Sequence, residues 1–274
     1  MALWLLAGLC ACSGNRQHRT TDNPAGDTLV EAIDSTATGT DEYADADIPM
    51  PKAADELFDD FFFNFAASRK LQMERVLFPL PVVDGDKTAE IERKQWRMEH
   101  FFMKQGYYTL LFDSEREMDV VKDTAVQHAV VEKIFFTTQT IRQYVFDRIR
   151  GTWMLTSLRT IPIVRSNHAT FLEFFYHFAS DKVFQTESLG STVSFVGPDP
   201  DDDFATMEGV ITADTWEAFA PELPQHMIYN IVYGRPQPES DSMIFLLRGI
   251  SNGQELQMTF RRMGGKWKLT KLTT

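Results

Sequence analysis

The chain has 274 residues, 43% hydrophobic and 24% charged, a globular composition with length for two domains of roughly 110 residues each. Its net charge of −12 divides as −5 over residues 1–54, −2 over 55–160 and −5 over 161–274. No segment carries the basic footprint of a phosphate-backbone partner, which argues against nucleic acid. Both cysteines, Cys10 and Cys12, sit at the extreme N-terminus, so the rest of the chain has no disulfide, thiolate metal site or cysteine nucleophile.

The chain opens MALWLLAGLCACSGN, a short apolar run ending in small residues and cysteine, as in the tail of a secretory signal. Leu9-Cys10-Ala11-Cys12 resembles a bacterial lipobox: an aliphatic residue, a small residue before the cysteine, then the cysteine. That resemblance implies lipidation at Cys12 and a membrane anchor. The run is short and no Lys or Arg precedes it, so a start further upstream is expected. Residues 13–54 are rich in Thr, Asp, Ala and Gly and too poor in large apolar side chains to offset their ordering entropy. They read as a flexible acidic tether. Asp41, Glu42, Asp45 and Asp47 fit a solvated linker better than a cation site.

ELFDDFFFNFAAS at 56–68 returns as ATFLEFFYHFASD at 169–181. Setting Phe58 on Phe171 gives seven identities in seventeen positions, among them four phenylalanines, Gln72/Gln185 and Glu74/Glu187. The apolar spacing predicts an amphipathic helix opening each copy, its Phe face directed into a core. VFDRIRGTWMLTSL at 145–158 returns as TFRRMGGKWKLTKL at 259–272, again with seven identities, and reads as an antiparallel hairpin around a glycine turn. Between these landmarks Trp96 matches Trp216, which requires a longer GPDPDDD region (197–203) in the second copy and an extra EREMDVVKDTAVQ (115–127) in the first. Each copy thus runs long helix, short helix, extended pair, short Trp-bearing helix, then strands near 107–113, 129–138, 140–149 and 153–161, matched by 226–233, 242–250, 255–262 and 266–272. Helices first and a meander last describe an α+β class, with repeats at 55–161 and 162–274.

This order, with the closing Gly151-Thr152-Trp153-Met154-Leu155 and Gly265-Lys266-Trp267-Lys268-Leu269 strands, resembles the nuclear transport factor 2-like (cystatin-like) fold. The resemblance implies a curved antiparallel sheet wrapped over a long N-terminal helix in each copy, enclosing a cone. The whole arrangement resembles an uncharacterised family of Bacteroidales envelope lipoproteins. It implies localisation in the cell envelope, lipid-anchored, with the outer membrane and its periplasmic or surface side expected. It carries over no catalytic residue.

Motifs for phosphate, dinucleotide, zinc or nucleophilic chemistry are missing. The six histidines form no close metal pair, His128 and Glu132 lie at a strand entry, and Asp199–Asp203 lacks the glycine and distal glutamate of a calcium loop. No metal or cofactor is expected. Relatives on this fold that are enzymes place a carboxylate base and a tyrosine or acid donor in the cone. Residues of those types are Tyr107, Tyr108, Asp113, Tyr144 and Asp147 in the first copy and His226, Tyr229, Tyr233 and Arg248 in the second. They do not match between copies, whereas the core aromatics do. Packing therefore explains them better than shared catalysis. The leading reading is a non-enzymatic envelope lipoprotein that binds a ligand or protein partner through its cones or the groove between them. The alternatives are a small-molecule isomerase- or hydrolase-like enzyme with a site in one cone, and a structural assembly module.

Overall fold

The structure, a computed structural model, describes residues 55–199, 202–235 and 238–274. Cys12, the apolar run and the tether lie outside them, as does part of the Asp199–Asp203 stretch. No described helix is long and apolar enough to cross a membrane.

The Phe-rich segments are helices α1 (Phe58–Ala67) and α3 (Ala169–Ser180). Phe58, Phe61, Phe62 and Phe65 are buried on one face, and Phe171, Phe174, Phe175 and Phe178 repeat the pattern. Neither helix is long: they have ten and twelve residues. Each stops where one residue turns extended, Ser68 (φ −117°) and Asp181 (φ −122°). That residue then caps the next helix. Ser68 Oγ accepts from the Leu71 amide (3.2 Å) to start α2 (Arg69–Arg75), and Asp181 Oδ1 accepts from Val183 and Phe184 (2.9 and 3.1 Å) to start α4 (Lys182–Glu187). A polar side chain that satisfies free amides is a strong helix-start signal, and here it divides one apolar run into two helices.

Among the described residues twelve strands follow the predicted spacing: β1 (Leu80–Asp84), β2 (Lys87–Ile91), β3 (Tyr107–Phe112), β4 (His128–Phe135), β5 (Thr140–Ile149) and β6 (Thr152–Pro162) in the first half. The second half has β7 (Leu189–Asp199), β8 (Asp202–Ile211), β9 (Met227–Tyr233), β10 (Ser242–Gly249), β11 (Glu255–Met263) and β12 (Lys266–Thr273). The segments around Trp96 and Trp216 are short 3-10 turns rather than α-helices. Matched details run deep. Gly151 and Gly265 both take positive φ (81° and 77°) in the turns before β6 and β12. β5 shifts register at Val145/Phe146 and β11 at Thr259/Phe260. The carbonyl at each irregularity is taken by an equivalent threonine, Thr156 Oγ1 to Val145 O (3.2 Å) and Thr270 Oγ1 to Thr259 O (3.0 Å).

The sheets correct the expected organisation in two respects. Neither is purely antiparallel: β6 runs parallel to β1, and β12 parallel to β7. Nor does a boundary at 161/162 separate them. One sheet is β2-β1-β6-β5-β4-β9 and the other β8-β7-β12-β11-β10-β3. The halves have exchanged their third strands, and the described residues fall in one compact unit. The reason lies in YYTLLF and MIYNIVY, which are apolar on both faces. β3 sends Tyr108, Leu110 and Phe112 into the core under α1 and Leu111 into the core under α3. β9 sends Tyr229 and Ile231 into the first core and Ile228 into the second. Each exchanged strand is a wall shared by two cores.

Where β3 crosses β9, side chains stand in for a ladder. Thr109 Oγ1 donates to Tyr229 O (2.5 Å) and accepts from Tyr229 N (2.9 Å). Asn230 Oδ1 accepts from the Leu111 amide (2.9 Å) while its Nδ2 donates to Glu132, which also accepts from Gln143 (2.9 Å). Thr109, Asn230 and Glu132 are buried, and these bonds offset the desolvation of the polar atoms.

Candidate functional site

The register of the paired strands sets the two halves side by side residue for residue. Lys133 pairs with Arg142 and Tyr229 in the first sheet as Leu247 pairs with Leu256 and Thr109 in the second. Most of the polar residues that matter have apolar counterparts.

The first such group sits where the core under α1 meets solvent, the mouth of the first cone. Glu99, in the turn after Trp96, accepts from Lys133 Nζ (2.6 Å) and from the Tyr144 hydroxyl (2.7 Å). Burial pushes the Glu99 carboxyl up, and the bonds to Lys133 and Tyr144 outweigh it, holding the group below its usual range. Burial and the Glu99 charge push the Tyr144 and Tyr229 hydroxyls well above the ordinary tyrosine value. The Tyr229 hydroxyl is buried without a hydrogen-bond partner among the described residues, and Lys133 lies 5.7 Å over its ring. Phe101 and Phe102 pack beneath, at 4.8 and 5.6 Å from the Phe62 ring, and Phe101 takes a left-handed φ of 46°. A non-glycine residue held there costs about 1–3 kcal/mol, which the surrounding aromatic packing must offset.

The second group spans the seam between the halves. Asp59 on α1 accepts from the Tyr233 hydroxyl on β9. Arg248 on β10 sits across the ladder from Tyr108 on β3 and binds Glu255 at 2.6 Å. Burial pushes the Asp59 carboxyl up to about 6, with Tyr233 and Arg248 partly opposing it. The same burial pushes Tyr108 and Tyr233 up. By the same register Arg248 and Tyr108 correspond to Ile134 and Ile228, and the alignment of the Phe helices sets Asp59 against Leu172.

Arg248 is also the link to solvent. It lines an open groove of about 420 Å³ between the 115–122 turn, peculiar to the first half, and the face of the second sheet turned away from α3. Glu115, Met118 and Lys122 face Gln257, Lys271 and Thr273 there. A second groove, about 490 Å³, runs along α3 over Phe174, Phe184 and Trp267. Neither is the interior of a cone, because those interiors hold aromatic rings. Phe58, Phe61, Phe62, Phe146 and Trp153 fill one; Phe171, Phe175, Phe245, Phe260 and Trp267 fill the other.

Of the residues singled out from sequence, Tyr144 and Tyr229 meet in the first group, and Tyr108, Tyr233 and Arg248 meet in the second. The structure leaves the others apart from both groups. Tyr107 opens β3 half-buried, and His226 is exposed ahead of β9. Asp113 follows β3, where burial pushes its carboxyl up despite His168, and one of its oxygens has no hydrogen-bond partner among the described residues. Asp147 lies on the opposite face, bound to His128 (2.7 Å) and Thr156 (2.7 Å). Asp59, Glu99 and Lys133 carry no motif or compositional mark in the sequence. Each stands where the other copy has Leu172, Phe219 or Leu247, so a position-by-position comparison of the copies held the signal. Among the described residues no three His, Cys, Asp or Glu side chains converge as metal ligands.

The architecture is that of a nuclear transport factor 2-like protein: the chain is similar, at 42% identity and a TM-score of 0.74, to a crystal structure of an NTF2-like protein from Bacteroides fragilis. That match covers 82% of this chain and 98% of the other. Residues 38–274 match the family described as Domain of unknown function (DUF4348), and the chain belongs to that family. No curated protein matches it.

Proposed function

We propose that the chain is a lipid-anchored protein of the bacterial envelope, held through Cys12 at the outer membrane on its periplasmic or surface side. In this reading it binds a polar ligand or protein partner in the groove between the halves, without catalysing a reaction. The observation that carries it is the groove itself. It needs the 115–122 turn of one half and the sheet of the other, and it presents Arg248, Lys122 and Lys271 beside Glu115 and Asp119. Cones packed with rings support a surface site over an internal substrate chamber. The lipobox and tether support the anchor, and the likeness to a Bacteroides protein supports a Bacteroidales envelope setting.

The test takes the full chain through an envelope extract and identifies retained molecules by mass spectrometry, alongside Lys271→Ala and Gln257→Ala. Retention that both variants reduce about tenfold is expected, as for losing a charge-assisted and a neutral hydrogen bond. Nothing retained, or retention indifferent to both changes, contradicts the groove. Cys12→Ala should separately release the protein from membranes.

One observation favours the isomerase- or hydrolase-like alternative. Asp59 is a desolvated carboxyl beside a tyrosine and an arginine, the kind of group a general base is made from. Turnover of the retained molecule that Asp59→Asn abolishes would replace the binding reading with the catalytic one.

A further inference from the structure

The mouth of the second cone differs from the first in every polar position. Where the first half sets Glu99, Lys133, Arg142 and Tyr144, the second sets Phe219, Leu247, Leu256 and Met258. The first mouth carries an ion pair, Glu99 with Lys133. In the second, Phe195, Leu223, Leu247 and Leu256 are only partly buried against the core, and Phe219 and Met207 are 41% and 42% exposed. Phe219 rests its ring 5.2 Å from Phe195. Strand alternation places Phe195 and Met207 on the same sheet face as buried Val193 and Ile211. The hairpin that carries them, β7–β8, is twice the length of β1–β2, with eleven and ten residues against five and five.

Charge completes the description. Between Val183 and Gly234 the sequence has nine Asp or Glu and no Lys or Arg. Asp214, Glu217 and Glu222 are exposed in the same segment as Phe219. Exposed apolar side chains carried beside an acidic, lysine- and arginine-free segment are complementary to a chain that alternates apolar and basic side chains.

We propose that the mouth of the second cone docks a cationic, amphipathic polypeptide segment. Its apolar side chains lie on Phe195, Met207, Phe219 and Leu247, and its lysines or arginines face Asp214, Glu217 and Glu222. This site is separate from the groove at Arg248, and either can fail without the other.

The test uses the full chain and a fluorescent synthetic peptide of alternating lysine and leucine, followed by anisotropy. A lysine–serine peptide and a glutamate–leucine peptide serve as comparisons. The lysine–leucine peptide should bind more tightly than either by at least about tenfold, and its binding should weaken as salt rises. Phe219→Glu with Leu247→Lys, which writes the first mouth into the second, should reduce binding by about tenfold or more. Phe219→Ser, which removes a 41% exposed ring, should reduce it several-fold with the urea midpoint little changed, and so should Glu217→Lys with Glu222→Lys. Equal binding of the lysine–serine peptide, or binding unchanged in these variants, overturns the proposal. So does self-association of the wild-type chain that Phe219→Ser abolishes and the lysine–leucine peptide cannot displace, because the occupant would then be a second copy.

Discussion

Gln72→Ala should destabilise the protein by about 3–5 kcal/mol, far more than its short side chain suggests. Gln72 is fully buried. Its Nε2 donates to Phe65 O (3.0 Å) and Glu99 O (2.7 Å), and its Oε1 accepts from Trp96 Nε1 (3.3 Å) and the Glu99 amide (2.9 Å). It ties the end of α1 to the turn that carries Glu99 into the mouth of the first cone. Alanine leaves those donors and acceptors buried and unpaired, each costing about 1–3 kcal/mol before any relaxation. Gln185 is its counterpart, with bonds to Phe178 O (3.2 Å) and Trp216 Nε1 (3.0 Å). Gln185→Ala should therefore cost less, about 2–3 kcal/mol. Urea unfolding of both variants checks the order. Equal losses, or a loss under about 1 kcal/mol for Gln72→Ala, would show that the brace is not what holds the turn.

Asp59→Asn should stabilise the protein at neutral pH and have no effect in acid. Burial gives the Asp59 carboxyl a folded value of about 6 against an ordinary 3.8, so the folded state binds the proton more tightly. The stabilisation that follows is complete below the ordinary value and is lost as pH rises through about 6. Two pKa units correspond to about 3 kcal/mol, which partial solvation of the side chain lowers to about 1–2 kcal/mol. Asparagine keeps an acceptor for Tyr233 and removes the charge. The variant should therefore gain about 1–2 kcal/mol near pH 8 and converge with wild type near about pH 4. Taking the difference between the two proteins cancels the opposing contributions of Glu99 and Asp147, both held low, and of Asp113, pushed up. Stability curves in urea across that range provide the measurement. A variant less stable than wild type at pH 8 would mean that the Asp59 charge is used, by Arg248 or by a ligand, rather than tolerated.

The sequence carried the elements well because each rests on local physics. The Phe spacing of α1 and α3, the glycine turn before each closing strand and the alternation of β5, β6, β11 and β12 are short-range patterns, and the structure follows them to within a residue or two. Which strand lies beside which is decided over more than a hundred residues, and alternation does not encode it. β3 carries the same buried pattern whether its neighbour is β4 or β10. The clue was in composition: TLLF and IYNIV leave no solvent face, which suits a wall between two cores. The candidate site was legible in type and not in place. Composition marks tyrosines in both copies, but the strand exchange puts Tyr229 with Glu99 of the first half and Tyr233 with Asp59. The repeat also sorts the polar matches from the mismatches. Gln72/Gln185 and Thr156/Thr270 match and are structural, whereas Asp59, Glu99, Lys133 and Arg248 have apolar counterparts and cluster at the first mouth and the seam.

Both the seam and the groove at Arg248 require the two halves to behave as one body. Native-state hydrogen exchange in increasing urea tests this most directly, read on peptides from β5 and β11, the central strands of the two sheets. Because neither sheet is complete without a strand from the other half, both peptides should reach the same highest opening free energy with the same urea dependence. A peptide from one half that exchanges through its own opening, with a smaller urea dependence and while the other stays protected, would contradict the interlocked fold.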